Sequence, residues 1–498
     1  MGGIPAMAER TLLRAVLDQR GWASWPVFEM HFADAARRVA ERTAAAPMSI
    51  SQATFKRWLS GERDPRSLAG VVLEEMLGVE TELLFRPAPA HDVVLPRPLG
   101  LSERAAALAL DARWGNSLLF PTSPAAGVDG SWRMDGLGLF DGTSVAVQAY
   151  EGTALTDELV GIGPDDYPHL RSFVRPLRPA LVLAALRAPA GTGLYAMDAA
   201  HVRRQLTLDR PVDVLPIPAA YRLDDLTYGL TWALTNLDDG LCADDAALRV
   251  GAADLDTQLV RPLTAVARAA LPGLSSVGAM WLGSRHCARH AVRRMPEESD
   301  ALAFWHRECR GEESAARLFF RHDVLREGLR RTTGETVAAY CVPAAAVKDS
   351  PTFERLLLFA SIALTESYGV PTWVCAEPEY SQVDEFLLVP GQRAVVGNWL
   401  RTPDVCQVDV TDRKAALRTY EDAVDHARAR SVATGATTGV RLRALADHLD
   451  LDWSWVTRRA RELSEYGLAD MLRPRSRLLT LSQVDRVLAF LGKLDSDV

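Results

Sequence analysis

Residues 49–65 read SISQATFKRWLSGERDP. Small polar residues come first, Phe55 and Trp58 then flank Lys56 and Arg57, and Gly61 precedes a charged turn. Phe55, Trp58 and Leu59 fall at i, i+3 and i+4, which makes one inward stripe of a helix. Ser49 or Ser51 can cap that helix through its hydroxyl. Ser51, Gln52, Thr54, Lys56 and Arg57 remain for the outer side. A helix entering a DNA major groove uses such a set. Gln pairs in bidentate fashion with adenine, Thr touches a thymine methyl, and cations reach phosphates. Arg63 and Arg66 follow as candidate phosphate clamps. The plainer alternative is a bundle helix whose basic face is only solvated. Between Asp34 and Arg66 the chain holds seven cations against four carboxylates, a modest local excess.

Working outward, residues 8–86 read as all-helical. Apolar residues recur at three- and four-residue spacing through ERTLLRAVLDQRGW, VFEMHFADAARRVAERT, SQATFKRWLSG and SLAGVVLEEML. Gly61 and Gly78 are plausible stops. RPAPAHDVVLPRP follows, with four prolines in thirteen residues. It reads as a stiff linker, placed at 87–99.

SQATFKRWLSGERDP with VLEEMLGVETELLF resembles the recognition helix and following helix of the XRE (phage-repressor-like) helix-turn-helix class. Small polar residues, Thr, a cation with Trp, and Gly carry the first part. Leu77, Gly78, Val79, Leu83 and Leu84 carry the second. Within that class the stretch is most similar to large multidomain actinomycete regulators, and the likeness spans roughly residues 29–86. Where the class has the first helix of its motif, this chain reads ERTAAAPMSI, with an Ala-Pro interruption. The resemblance implies a helix-turn-helix DNA-binding domain over 8–86 that works as a homodimer on double-stranded DNA.

The remainder sets bounds on function. The chain has 498 residues, a formal net charge of −8 and globular composition. No overall basic field favours nucleic acid, so DNA binding would depend on local patches. Cys242, Cys287, Cys309, Cys341, Cys375 and Cys406 lie far apart, which fits reduced thiols better than a zinc ribbon or disulfide framework. The N-terminal MGGIPAMAERTLLRAVL turns polar too early for a secretory signal, and no run of about 18 apolar residues occurs. These features predict a cytoplasmic protein with no membrane partner.

Residues 100–335 read as a mixed, mainly helical region. Short strands are expected in WRMDGLGLFDGTSVAVQAYEG. Helices are expected in ALVLAALRAP, MDAAHVRRQL, LDDLTYGLTWALTNL, LDTQLVRPLTAVARAAL and ESAARLFFRHDVLREGLRR. Residues 336–434 alternate: TVAAYCVP, PTWVCAE, RAVVGNWL and VCQVDV as strands, with TFERLLLFASIALTESYG and DRKAALRTYEDAVDHARARSV as helices. That pattern predicts an α/β domain with partly parallel pairing. Residues 439–498 return to helices in a layout similar to winged-helix readers in general form. There Ser454, Arg458 and Arg459 would start a reading helix, and Arg473, Arg475 and Arg477 would form a basic wing. A helical cap or dimerisation element is the alternative. The expected fold is thus multidomain α with α/β: an N-terminal helix-turn-helix bundle, a mixed α/β middle and a C-terminal helical, winged-helix-like domain.

Chemistry in the middle is sparse. His286 and His290 share one helical face, and His306, Glu308, Glu312, Glu313 and His322 follow. The spacing matches no metalloprotease motif, and Arg285, Arg289, Arg293 and Arg294 would repel a cation, so no metal is assigned. Asn236, Asp238, Asp239, Asp244 and Asp245 lack the EF-hand pattern and read as caps and a solvated turn. GIGPDDY at 161–167 is too short to cradle a dinucleotide. Glu377, Glu379, Tyr380 and Trp399 sit at expected strand ends, where α/β domains place ligands. No catalytic set can be assembled and no cofactor is expected. The reading that follows is a sequence-specific DNA-binding regulator with a large ligand-sensing or dimerisation region. An enzyme or interaction scaffold with an N-terminal docking module is the alternative.

Overall fold

The computed structural model describes residues 11–19, 22–23, 25–43, 46, 48–61, 65, 67–77, 81–86, 110–121, 128–188, 191–207, 214–260, 264–267, 273–307, 310–320, 330–397 and 405–494. The chain divides into two compact units, residues 1–106 with 120–130, and residues 107–119 with 131–498.

The first unit is helical: α1 (Leu12–Gln19), α2 (Trp25–Thr43), α3 (Gln52–Leu59), α4 (Ser67–Leu77) and the short α5 (Thr81–Leu84). On α2, Phe28, Phe32, Ala35, Ala36 and Val39 recur with helical period and are all buried. They meet Phe55 and Trp58 of α3 in a core shared with Leu13, Leu17, Leu73 and Leu84. Phe28 and Phe55 stack with ring centroids 4.1 Å apart, and Phe32 tilts against Trp58 at 6.0 Å. Such pairs add about 1 kcal/mol beyond burial. Residues 44–51, eight in all, separate α2 from α3. A helix-turn-helix turn is usually about three to four residues, so the ERTAAAPMSI departure appears as a longer connection. Gly61, at φ +72, ends α3 where a Cβ would be strained and would meet Thr11 at 2.9 Å.

The second unit holds two seven-stranded sheets. In chain order its elements begin with α6 (Leu110–Arg113), then β1 (Ser117–Pro121) and β2 (Val128–Met134), of which residues 120–121 and 128–130 are counted with the first unit, then β3 (Thr143–Thr156) and β4 (Leu159–Ile162). Then come α7 (Tyr167–Val174), β5 (Ala180–Ala188), β6 (Gly191–Asp198), α8 (Ala199–Thr207) and β7 (Leu215–Pro218). The first sheet runs β1-β2-β3-β4-β7, with β5 parallel to β3 and β6 antiparallel to β5. ALVLAALRAP, expected to be helical, is β5. Its apolar run is buried on both faces from Ala180 to Ala185, and such a run has no period that separates strand from helix.

The helices α9 (Asp225–Ala243), α10 (Asp245–Gln258) and α11 (Ser276–Arg294) bracket β8 (Thr264–Ala267). Here too an expected helix is cut short. Its stop at Gln258 precedes Pro262, which has no N–H to continue the ladder. Next are β9 (Ser299–His306), α12 (Gly311–Phe319), β10 (Thr332–Cys341), α13 (Ala344–Asp349), α14 (Thr352–Glu366) and β11 (Thr372–Cys375). The chain continues through β12 (Glu385–Val389), β13 (Arg393–Gly397), β14 (Val405–Thr411), α15 (Lys414–Ala429), α16 (Thr438–His448), α17 (Trp453–Tyr466) and α18 (Ser482–Leu494).

The second sheet has the order β11-β10-β9-β12-β13-β14-β8. Strands β9, β10 and β11 pair in parallel and the others antiparallel, so the expected α/β character is present. The expected boundary at 335/336 falls inside β10, and β8 and β9 belong to the same sheet as the strands after it. The C-terminal helices join the same unit: α14 packs against α16 and α18, and Arg441 of α16 forms a two-pronged pair with Glu366 at 3.0 and 2.7 Å. Cys287, Cys341 and Cys375 are buried and lie in no disulfide. Among the described residues no helix is long and apolar enough to cross a membrane.

Candidate functional site

Three sets of residues bear on function, and they differ in how far their charge is already satisfied. The first is α3. Ser51 is its N-cap in extended conformation, and its Oγ accepts from the Thr54 N–H at 3.2 Å. Ile50 at N′ and Phe55 at N4 both enter the core, the arrangement of a hydrophobic staple. The inward stripe is Phe55 and Trp58, with Leu59 partly buried beside them. Ser51, Gln52, Lys56 and Arg57 are exposed and Thr54 is half-buried, with its hydroxyl 3.0 Å from Ser51 Oγ. The first turn carries no carboxylate, so the positive end of the helix dipole is not offset by the helix's own side chains. Among the described residues Lys56 and Arg57 have no ionic partner. Arg63 and Arg66 lie outside the described residues.

The second set is the C-terminal cations, and most are engaged. The Arg459 side chain is 7% exposed and its Nε donates to Asp224 at 2.7 Å, while Nη2 reaches the Ala220 carbonyl at 2.9 Å. Asp224 is also the N-cap of α9, in a capping box with Thr227. Arg459 is therefore a buried tie between α17 and α9 and not a surface cation, and its Nη1 also pairs with Glu462 on its own helix. Arg475 donates through Nε to Asp238 at 2.7 Å and pairs with Asp239, while the Arg475 and Ser476 N–H groups also donate to Asp238. Arg477 lies 3.6 Å from Asp245. Arg475 of the expected wing thus rests on the C-terminal, acidic end of α9, where a cation also suits the helix dipole, and Arg477 meets the first residue of α10. Asp244 in turn accepts from the N–H and hydroxyl of Ser275, and Asn236 donates to the Trp232 carbonyl. Ser454 donates to Asp452, Arg458 is exposed 3.9 Å from Glu462, and Arg473 is exposed.

The third set lies on the second sheet. At the C-terminal ends of β10 and β11, Glu377 faces His426 at 3.7 Å and Arg430 at 3.4 Å, and Tyr380 stacks on His426 with centroids 4.3 Å apart. Burial pushes the Glu377 carboxyl up, but its backbone N–H contacts and Arg430 outweigh this and hold it below the ordinary value. Glu379 is exposed and Trp399 lies outside the described residues. Glu377 and Tyr380 thus both lie against His426, on the side of the sheet packed by α15.

A cavity of about 230 Å³ occupies the opposite face, between the sheet and α11, α12 and α14. Strand alternation builds it. Phe304 and His306 of β9, Glu385 and Leu387 of β12, and Val395 and Gly397 of β13 line it, while Ala303, Trp305, Leu388 and Ala394 enter the core behind. At its polar end the Glu385 carboxylate accepts from Arg317 Nη2 at 2.7 Å and sits 2.8 Å from His306 Nδ1. The Arg317 guanidinium lies 5.8 Å from the Tyr340 ring centroid, and the Tyr340 and Thr365 hydroxyls are 2.8 Å apart. Burial, then the Arg317 charge, lower the His306 pKa to about 4 despite Glu385, so the imidazole is neutral near pH 7. Of this set only His306 stands out in the sequence. Arg317 and Glu385 were not legible, although a carboxylate opening the apolar run EFLLV was a faint signal.

The remaining titratable residues read as structure. His286 and His290 are buried together on α11 with ring centroids 5.1 Å apart, and burial lowers the His286 pKa to about 4. Glu312 accepts from the N–H groups of Leu137, Leu139 and Phe140, and Glu313 caps α12 through the Arg310 N–H. Among the described residues no three His, Cys, Asp or Glu side chains converge as a metal site. No family model, curated protein or solved structure matches the chain.

Proposed function

We propose that the protein is a sequence-specific DNA-binding transcriptional regulator. In this reading the first unit reads double-stranded DNA, and the second senses a small-molecule effector or makes a homodimer. The observation that carries the reading is the division of α3: two aromatic rings locked inward, and Ser51, Gln52, Lys56 and Arg57 exposed on a capped helix with no acidic residue in its first turn. With its side chains an α-helix is about 10–12 Å across, which suits a major groove about 12 Å wide. Gln52 and Thr54 near its start would meet base edges, and Lys56 and Arg57 would meet phosphates. A two-fold dimer would place two such helices on half-sites about one helical turn apart.

The test is selection of genomic fragments on the purified full-length chain, repeated with Lys56→Glu/Arg57→Glu. One enriched motif is expected with the native chain and none with the variant. Absence of any enriched motif with the native chain would overturn the reading.

A further inference from the structure

The cavity on the second sheet has a composition that narrows what can occupy it. Its volume, about 230 Å³, exceeds the roughly 150 Å³ of a dry cavity that accepts benzene. A ring with several added atoms fits, on the order of ten non-hydrogen atoms. Phe304, Phe320, Leu364, Leu387, Val395 and Val408 supply apolar wall, which such a molecule would cover.

The polar end is internally balanced. Arg317 and Glu385 form an ion pair, so the wall offers no uncompensated charge. A charged ligand would lose its water and gain no counter-ion. The other polar side chains on the wall mostly answer one another or the backbone. Tyr340 pairs with Thr365, Ser361 donates to the Leu358 carbonyl, and Gln483 donates to the Phe320 carbonyl. His306 differs. Its Nδ1 faces a carboxylate oxygen that already accepts from Arg317, so Nδ1 carries the proton and donates. In the neutral ring that leaves Nε2 with a lone pair, and it has no partner among the described residues.

We infer that this cavity binds a neutral, mostly apolar molecule of phenol-like size that donates one hydrogen bond from a hydroxyl to His306 Nε2. The inference rests on reading the second unit as the sensing half of the regulator, and it supplies the chemical class of the effector. Ammonium ions and carboxylates are disfavoured by charge, and ethers bind more weakly for lack of a donor.

The experiment uses the full-length chain and three probes: para-tert-butylphenol, its methyl ether and para-ethylbenzoate. Calorimetry is expected to show saturable one-to-one binding of the phenol, at least tenfold weaker binding of the ether, as befits an acceptor left unpaired, and no saturable binding of the benzoate. His306→Phe should erase the phenol-over-ether preference. Should that variant fail to fold, Ala288→Leu, on the half-buried cavity wall, should weaken all binding while leaving His306 in place. No saturable binding of the phenol, or equal or tighter binding of the ether or benzoate, overturns the assignment. Operator affinity is then measured with and without the phenol. Binding that leaves it unchanged overturns the sensing role alone, and phenol binding by a chain that selects no DNA overturns the regulator reading alone.

Discussion

Lys56 and Arg57 project from a short, capped helix, exposed and without ionic partners among the described residues. On α17 and the loop after it, Arg459 is buried on Asp224 and Arg475 is held by Asp238 and Asp239. Both segments are basic, and both follow polar residues that cap a helix through their side chains, Ser51 and Asp452. What separates them is the supply of internal carboxylates. A cation that has already met one gains little from a phosphate, since it must first break a charge-assisted pair. A basic run is a binding surface only to the extent that folding leaves its charge unspent.

The contrast breaks if Arg459 proves dispensable. Arg459→Ala removes a buried guanidinium and leaves half-buried Asp224 with only its helix-cap donors, so a loss of about 3 kcal/mol is expected in urea unfolding, with unchanged DNA affinity for whatever remains folded. Next comes the reverse case. Lys56→Glu/Arg57→Glu should leave the thermal midpoint nearly untouched but weaken operator binding roughly 100-fold and flatten its salt dependence by about two counterions. Normal retention by that variant would remove the first unit from the DNA-reading role.

A smaller effect sharpens the point for buried carboxylates without a cation. Burial, then neighbouring Glu312, push the Glu354 carboxyl up to about 7 from an ordinary 4.5. Between those values the folded chain keeps a proton that the unfolded chain has released, so stability falls as pH rises through that window. Glu354→Gln should therefore change little at pH 4 and stabilise by about 2 kcal/mol at pH 8, read from paired denaturation curves. An equal effect at both pH values would contradict the assignment. Smallest of all, Arg475→Ala should cost about 1 kcal/mol, because its side chain is 42% exposed, and should leave the salt dependence of DNA binding unchanged.

Legibility followed the range of the interactions. The first-unit helices were readable because FEMHFADAARRV and FKRWL repeat their apolar residues with helical period. The same rule identified α14 and α15. It failed for β5, whose ALVLAALR carries no alternation. It also passed over β9 and β12, whose central residues are covered on both faces of the sheet. The cavity was largely out of reach. Its polar end unites Arg317 and His306 with Glu385, 68 and 79 residues away respectively, and no local pattern links them. The ends of β10 and β11 were better anticipated, since Glu377 and Tyr380 follow strands visible in the chain.

By itself the sequence determined which faces of its first-unit helices are apolar, that a serine caps the helix over 52–59 and Gly61 ends it, and that Lys56 and Arg57 lie off its apolar stripe. These depend on neighbours within a few positions, where backbone geometry fixes the spacing. Only the tertiary structure decided which arginines are paired internally, that residues 131–498 form one unit, and that a histidine, an arginine and a glutamate meet beneath the second sheet. Those outcomes depend on strand order and on which distant carboxylate reaches each guanidinium, and chain spacing does not encode either.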